Sequence, residues 1–66
     1  MFSKFKLKAT MAKKRMTISD LQAKTGISFD TISKILNTDR EPNTVTLGKL
    51  AAALGVEPEE LMKNED

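Results

Sequence analysis

The sequence predicts an all-α fold of five short helices, and three observations carry that expectation. Turn signals recur at short intervals, at Gly26, across residues 37–42 and at Gly55, and the apolar residues between them fall at helical rather than strand spacing. Two of the segments are joined by only three residues, Gly26-Ile27-Ser28. Leu47, Leu50, Ala51 and Leu54 stand at i, i+3, i+4 and i+7, the stripe of a helix that buries one face.

The first helix is predicted from about residue 7 to residue 14, with Leu7 and Met11 one turn apart on its inner face. Ahead of it Phe5 and Leu7 alternate with Lys4, Lys6 and Lys8, a strand-like pattern over very few residues. Residues 1–6 are thus open between an ordered N-terminal arm, a short edge strand and a frayed end. The second helix begins at Thr17, whose hydroxyl is followed three residues later by Asp20, a weaker relative of the capping box. Leu21 and Thr25 continue its inner face, and Gly26 sits where a left-handed residue ends a helix without a Cβ clash.

Ser28 is a good N-cap for a third helix running to about residue 36. A tight glycine corner between two short helices is the signature of a helix-turn-helix, here residues 17–36. A polar loop follows from Asn37 to Pro42, and Asn43 or Thr44 caps the fourth helix, which Gly55 closes. A fifth short helix starts with Pro58, sets Glu59 and Glu60 near its N-terminal dipole and buries Leu61.

Sixty-six residues are enough for one domain, residues 1–66, with a small core. The chain has no cysteine and no histidine, so it lacks disulfide staples, thiolate ligands and the commonest general base. No base stands out to activate a serine and no glycine-rich phosphate loop exists, so neither catalysis nor a cofactor or metal site is expected. A secreted protein this small would need staples, which argues for an intracellular, cytoplasmic setting. The longest apolar run, residues 50–54, is far too short to span a bilayer, and Lys4, Lys6 and Lys8 break up any leader-like apolar segment.

The net charge of +2 hides an uneven distribution. Residues 1–15 carry Lys4, Lys6, Lys8, Lys13, Lys14 and Arg15 with no acid, whereas residues 57–66 carry Glu57, Glu59, Glu60, Glu65 and Asp66 against Lys63. One reading is a surface suited to phosphate and another kept away from it; the other is two solvated chain ends.

The stretches Met16-Thr17, Leu21, Lys24-Thr25-Gly26-Ile27-Ser28, Thr31-Ile32-Ser33-Lys34-Ile35, Pro42, Leu47, Leu50-Ala51, Ala53-Leu54-Gly55-Val56 and Glu60-Leu61 resemble the Cro/cI-type helix-turn-helix family. The resemblance spans residues 16–61 and implies a compact five-helix, lambda-repressor-like DNA-binding domain. Leu21, Ile27, Ile32 and Ile35 fall where the two helices of such a motif pack together, and with Gly26 they build the motif without touching anything outside.

At about 100° per residue, Ile32, Ile35 and Leu36 define one side of the third helix, and Asp30, Ser33, Lys34 and Asn37 project from the other. A helix in the major groove reads base edges with its outward N-terminal residues. The resemblance implies base contacts at Phe29, Asp30 and Lys34, and Ser33 shares their face. Lys34 suits guanine or a phosphate, or is an ordinary surface lysine. Asp30 suits a cytosine amine, or is a dipole partner of its helix. Phe29 suits a thymine methyl, or packs half-buried beside Ile32 and Leu36. Phosphate contacts are implied at Thr17, Ser28, Asn37, Thr38, Arg40, Asn43 and Thr44.

The chain departs from the family pattern in four places. Ile18 stands where relatives usually carry Gln and cannot hydrogen-bond a phosphate. Gln22 stands where they carry Ala, which predicts looser packing between the two helices. Met11 and Leu36 replace an Arg–Glu pair, a change that can be neutral or stabilising, and they are predicted to pack together. Asp30, Asp39 and Glu41 put negative charge near the phosphate path and weaken sequence-independent attraction.

The resemblance implies a transcriptional regulator of phage or bacterial type that binds double-stranded DNA as a homodimer. Val56, Leu61 and Met62, or Phe2 and Phe5, are candidate pairing surfaces. The alternative is a protein-interaction module of the same fold, an antirepressor, an antitoxin component or a partner of another regulator, which Ile18, Phe29 and the nearby acids favour.

Overall fold

The computed structural model describes residues 1–63, so Glu65 and Asp66 of the acidic tail lie outside the described residues. The elements run α1 (Lys4–Lys14), α2 (Ile18–Thr25), α3 (Phe29–Asn37), α4 (Thr44–Leu54) and a single 3-10 turn (Pro58–Leu61). Each of the four α-helices begins at a side chain that accepts a hydrogen bond from a backbone N–H in its first turn: Ser3, Thr17, Ser28 and Asn43. Asn43 therefore caps the fourth helix, its Oδ1 accepting from the Thr46 N–H at 2.8 Å.

Two expectations are corrected. The first helix starts at Lys4 rather than near residue 7, because Ser3 is extended and its Oγ accepts from the Lys6 N–H at 3.2 Å. Phe2 precedes that cap in an isolated antiparallel bridge with Met62, while Phe5 lies inside the helix. The two phenylalanines part company: Phe2 is 8% exposed and Phe5 77%. The fifth helix is only one 3-10 turn. Its backbone is claimed immediately afterwards, since the Ser3 N–H donates to the Leu61 carbonyl at 2.8 Å and the Lys63 N–H to the Met1 carbonyl. Met62 between them must be extended, so the helix cannot continue.

Every element contributes to one buried cluster. Leu7 of α1, Leu21 of α2, Ile32 and Ile35 of α3, Leu50 of α4 and Leu61 of the turn are all essentially sealed from solvent. Phe2, Met11, Leu36, Ala51 and Leu54 complete it, with Ile18, Ile27 and Leu47 half-buried against it. Met11 and Leu36 both lie inside this cluster as α1 packs on α3. Gln22 is exposed, so its bulk faces water and does not wedge α2 away from α3. No described helix is long and apolar enough to cross a membrane.

Two glycines make opposite predictions. Gly26 ends α2 at φ 76°, a left-handed conformation that strains any L side chain. Gly48 lies inside α4 with ordinary helical backbone, and a Cβ there meets nothing within 4 Å. Thermal or urea unfolding of Gly48→Ala is expected to show a gain of about 0.5–1 kcal/mol. Gly26→Ala should lose about 1 kcal/mol. Equal effects at the two sites would contradict the assignment of the corner.

Candidate nucleic-acid interface

The corner between α2 and α3 is fixed by local bonds before any tertiary contact is counted. The Gly26 N–H donates to the Gln22 carbonyl at 2.9 Å, and the Ile27 N–H to Thr25 Oγ1 at 3.1 Å. Thr25 Oγ1 in turn donates to the Leu21 carbonyl at 2.6 Å. One threonine thus serves both the end of α2 and the turn beyond it. Ser28 then opens α3, its Oγ accepting from the Thr31 N–H at 3.2 Å and donating to Thr31 Oγ1 at 2.8 Å.

Ile32, Ile35 and Leu36 anchor one side of α3 in the core, which sets the roll of the helix about its axis. The residues opposite must then face outward. Asp30, Lys34 and Asn37 are exposed, Ser33 is half-buried, and Phe29 is 48% exposed and lies outside the buried cluster. The outward side chains pair one turn apart: Lys34 Nζ lies 3.1 Å from Asp30 Oδ2, and Asn37 Nδ2 donates to Ser33 Oγ at 3.2 Å. An exposed i,i+4 ion pair is worth only about 0.3–0.5 kcal/mol. The pair therefore does not lock either side chain in place.

The residues assigned to phosphate divide by what their polar atoms already do. Thr17 Oγ1 accepts from the Asp20 N–H at 3.1 Å while the Thr17 N–H donates to Asp20 Oδ2 at 2.8 Å, a complete capping box at the start of α2. The cap occupies an oxygen lone pair, and the same hydroxyl faces the Asp20 carboxylate and favours its charged form. Asn43 is exposed and its amide oxygen is taken by Thr46, which leaves its NH2 without a hydrogen bond among the described residues.

Thr38 is committed to the end of its own helix: its hydroxyl donates to the Lys34 carbonyl and accepts from the Arg40 N–H at 3.2 Å. The Ser28 hydroxyl proton is engaged by Thr31. Arg40 and Thr44 are exposed. Thr17 and Asn43 bond within their own helix starts and make no hydrogen bond to α3.

The Asp20 carboxyl is held below its ordinary value of 3.8, first by the bond from the Thr17 backbone and then by the Thr17 hydroxyl. A depressed folded-state value means that this contribution is complete above pH 3.8 and is lost as pH falls through the lower folded value. Acid unfolding of Asp20→Asn should therefore show a shallower loss of stability below pH 4 than the parent. Identical acid limbs for the two proteins would contradict the capping assignment.

Lys4 was missed by sequence reasoning. Its Nζ donates to the Thr38 carbonyl at 2.7 Å and lies 3.6 Å from Asp39 Oδ1, joining α1 to the loop after α3. No local pattern distinguishes it from Lys6 or Lys8. Two residues of the candidate pairing surfaces are also corrected: Phe2 and Leu61 are core residues, whereas Val56 and Met62 are half-buried. Phe5 alone of that set projects freely.

The sequence model of the Cro/C1-type HTH DNA-binding domain family matches residues 6–66. Comparison with curated proteins and with solved structures gives no match.

Proposed function

Because the chain belongs to the Cro/C1-type HTH DNA-binding domain family, we propose that it is a sequence-specific transcriptional regulator of phage or bacterial type, acting in the cytoplasm as a homodimer, with α3 in the major groove of each operator half-site. One observation supports this most: α3 rests on three buried apolar residues and turns Asp30, Ser33, Lys34 and Asn37 outward, with Phe29 at its N-terminal edge. A rigid helix with a short polar face and a capped N-terminus is what groove reading requires.

In this reading Lys34 donates to guanine O6 and N7, Asp30 accepts from a cytosine amine, Phe29 meets a thymine methyl and Ser33 supports them. Thr17, Ser28, Asn37, Thr38, Arg40, Asn43 and Thr44 line the backbone path. There the Asn43 amide and the Arg40 guanidinium carry most of the phosphate contact, Thr17 sets the start of α2 against the backbone, and Thr38 shapes the loop. The role is binding, with no chemical step.

Selection from a pool of randomised duplexes, with sequencing of the retained fraction, tests the reading. It predicts an enriched motif with two related halves about one helical turn, roughly 34 Å, apart. A folded chain that enriches no sequence at low salt contradicts it.

A second reading, a protein-interaction module, draws on exposed Phe29 and on the acids Asp30, Asp39 and Glu41, which repel phosphate. It predicts an unenriched pool together with a stable protein complex that Phe29→Ala abolishes.

A further inference from the structure

The loop between α3 and α4 holds Arg40, the strongest phosphate donor in the proposed interface, yet little fixes it. Within the loop, Thr38 Oγ1 closes back onto the end of α3 and orders the Arg40 N–H, while Asn43 belongs to the start of α4. Between the loop and the N-terminal segment lies an open cleft of about 290 Å³, whose walls include Phe2, Lys4, Ile35 and Arg40. This stretch of the loop is therefore separated from the N-terminal segment, while Pro42 beyond it is half-buried.

One side chain crosses this gap. Lys4 Nζ reaches the Thr38 carbonyl at 2.7 Å and Asp39 Oδ1 at 3.6 Å. Among the described residues these are the hydrogen bond and the ion pair that reach the loop from outside its flanking helices. Lys4 can do this because the backbone just ahead of it is held. Phe2 is buried and bridged to Met62, and Ser3 caps α1, so Lys4 enters the helix at a fixed place.

We infer that Lys4 is a positioning residue for DNA binding: it holds the loop that follows the recognition helix so that Arg40 meets the backbone in the register set by α3. The inference rests on the reading of α3 and its loop as the DNA-contacting surface. The ammonium also sits at the C-terminal end of α3, where a cation complements the helix dipole, and it offsets the Asp39 charge on the phosphate path. Lys4 acts through the loop and need not touch DNA.

Lys4→Met, Lys4→Arg, Arg40→Ala and the Lys4→Met/Arg40→Ala double variant test it against a duplex carrying the selected sequence, with circular dichroism as the check on folding. Lys4→Met is expected to weaken binding about three- to tenfold, and Lys4→Arg to restore most of the loss. In the Arg40→Ala background the effect of Lys4→Met should shrink below about twofold, because the contact it positions is already gone. In the free protein, backbone relaxation of residues 38–41 should show increased motion in Lys4→Met, a readout independent of DNA.

Unchanged binding by Lys4→Met, a loss of equal size in both backgrounds, or an unaltered loop each overturns the inference while leaving the parent reading in place. A parent chain that binds no duplex sinks both together.

Discussion

Lys34→Ala is expected to lower affinity for the selected operator by about 1–3 kcal/mol, roughly 5- to 150-fold. On the proposed reading the loss comes from one base contact and is confined to sequences carrying that base pair. Binding to unrelated duplex should fall far less, because only one cation of the interface is removed. Folding stability should hardly move, since the Lys34–Asp30 pair is solvent-exposed on both sides. Removing Lys34 also leaves Asp30 without its neutralising partner, so part of the loss is repulsion from phosphate. The Asp30→Asn/Lys34→Ala double variant separates the two causes: recovered affinity for all sequences marks repulsion, and lost discrimination at one base pair marks readout. A uniform loss across specific and unrelated duplexes would assign Lys34 to the backbone instead.

Leu21→Ala carries the larger consequence for folding. Leu21 is fully buried where α2 packs on both α3 and α4, so truncation leaves a cavity at the base of the motif. Buried Leu→Ala changes cost about 2–5 kcal/mol. A 66-residue chain at about 0.05–0.15 kcal/mol per residue has only some 3–10 kcal/mol to lose. Far-ultraviolet circular dichroism should show a variant that is partly or wholly unfolded at 37 °C, and DNA binding should fall with the folded fraction. A variant that stays folded and melts within a few degrees of the parent would show that Leu21 is not central to the packing of α2.

The corner and its flanking helices were legible because their signals are local. Thr17 with Asp20, Gly26 and Ser28 each act within a few residues, and each does in three dimensions what its chemistry implies. The outward positions on α3 were legible for a related reason. Burial of Ile32, Ile35 and Leu36 fixes the roll of the helix, which leaves Asp30, Lys34 and Asn37 facing solvent.

What was not legible depends on partners far along the chain. Ser3 as a cap was masked by the alternation of Phe5 and Leu7 with lysines. The burial of Phe2 follows from its bridge to Met62 at the opposite end of the described chain. That same bridge cuts the last element to a single 3-10 turn. Lys4 finds Thr38 across α1, α2 and α3, a meeting no periodicity encodes. Gln22 is a different case: its position suggested a wedge, but its side chain points to water.

The central claim is that the outer face of α3 and the helix starts and loop around it form the surface that meets DNA. Titrating an isotope-labelled chain with the selected duplex and following every backbone amide tests it most directly. The largest shifts are expected on Thr17, on residues 28–34 and on residues 37–44, while the amides of Leu7, Met11, Leu54 and Leu61 stay near their free positions. Shifts centred on the exposed side of α1 around Phe5, with α3 undisturbed, would contradict it.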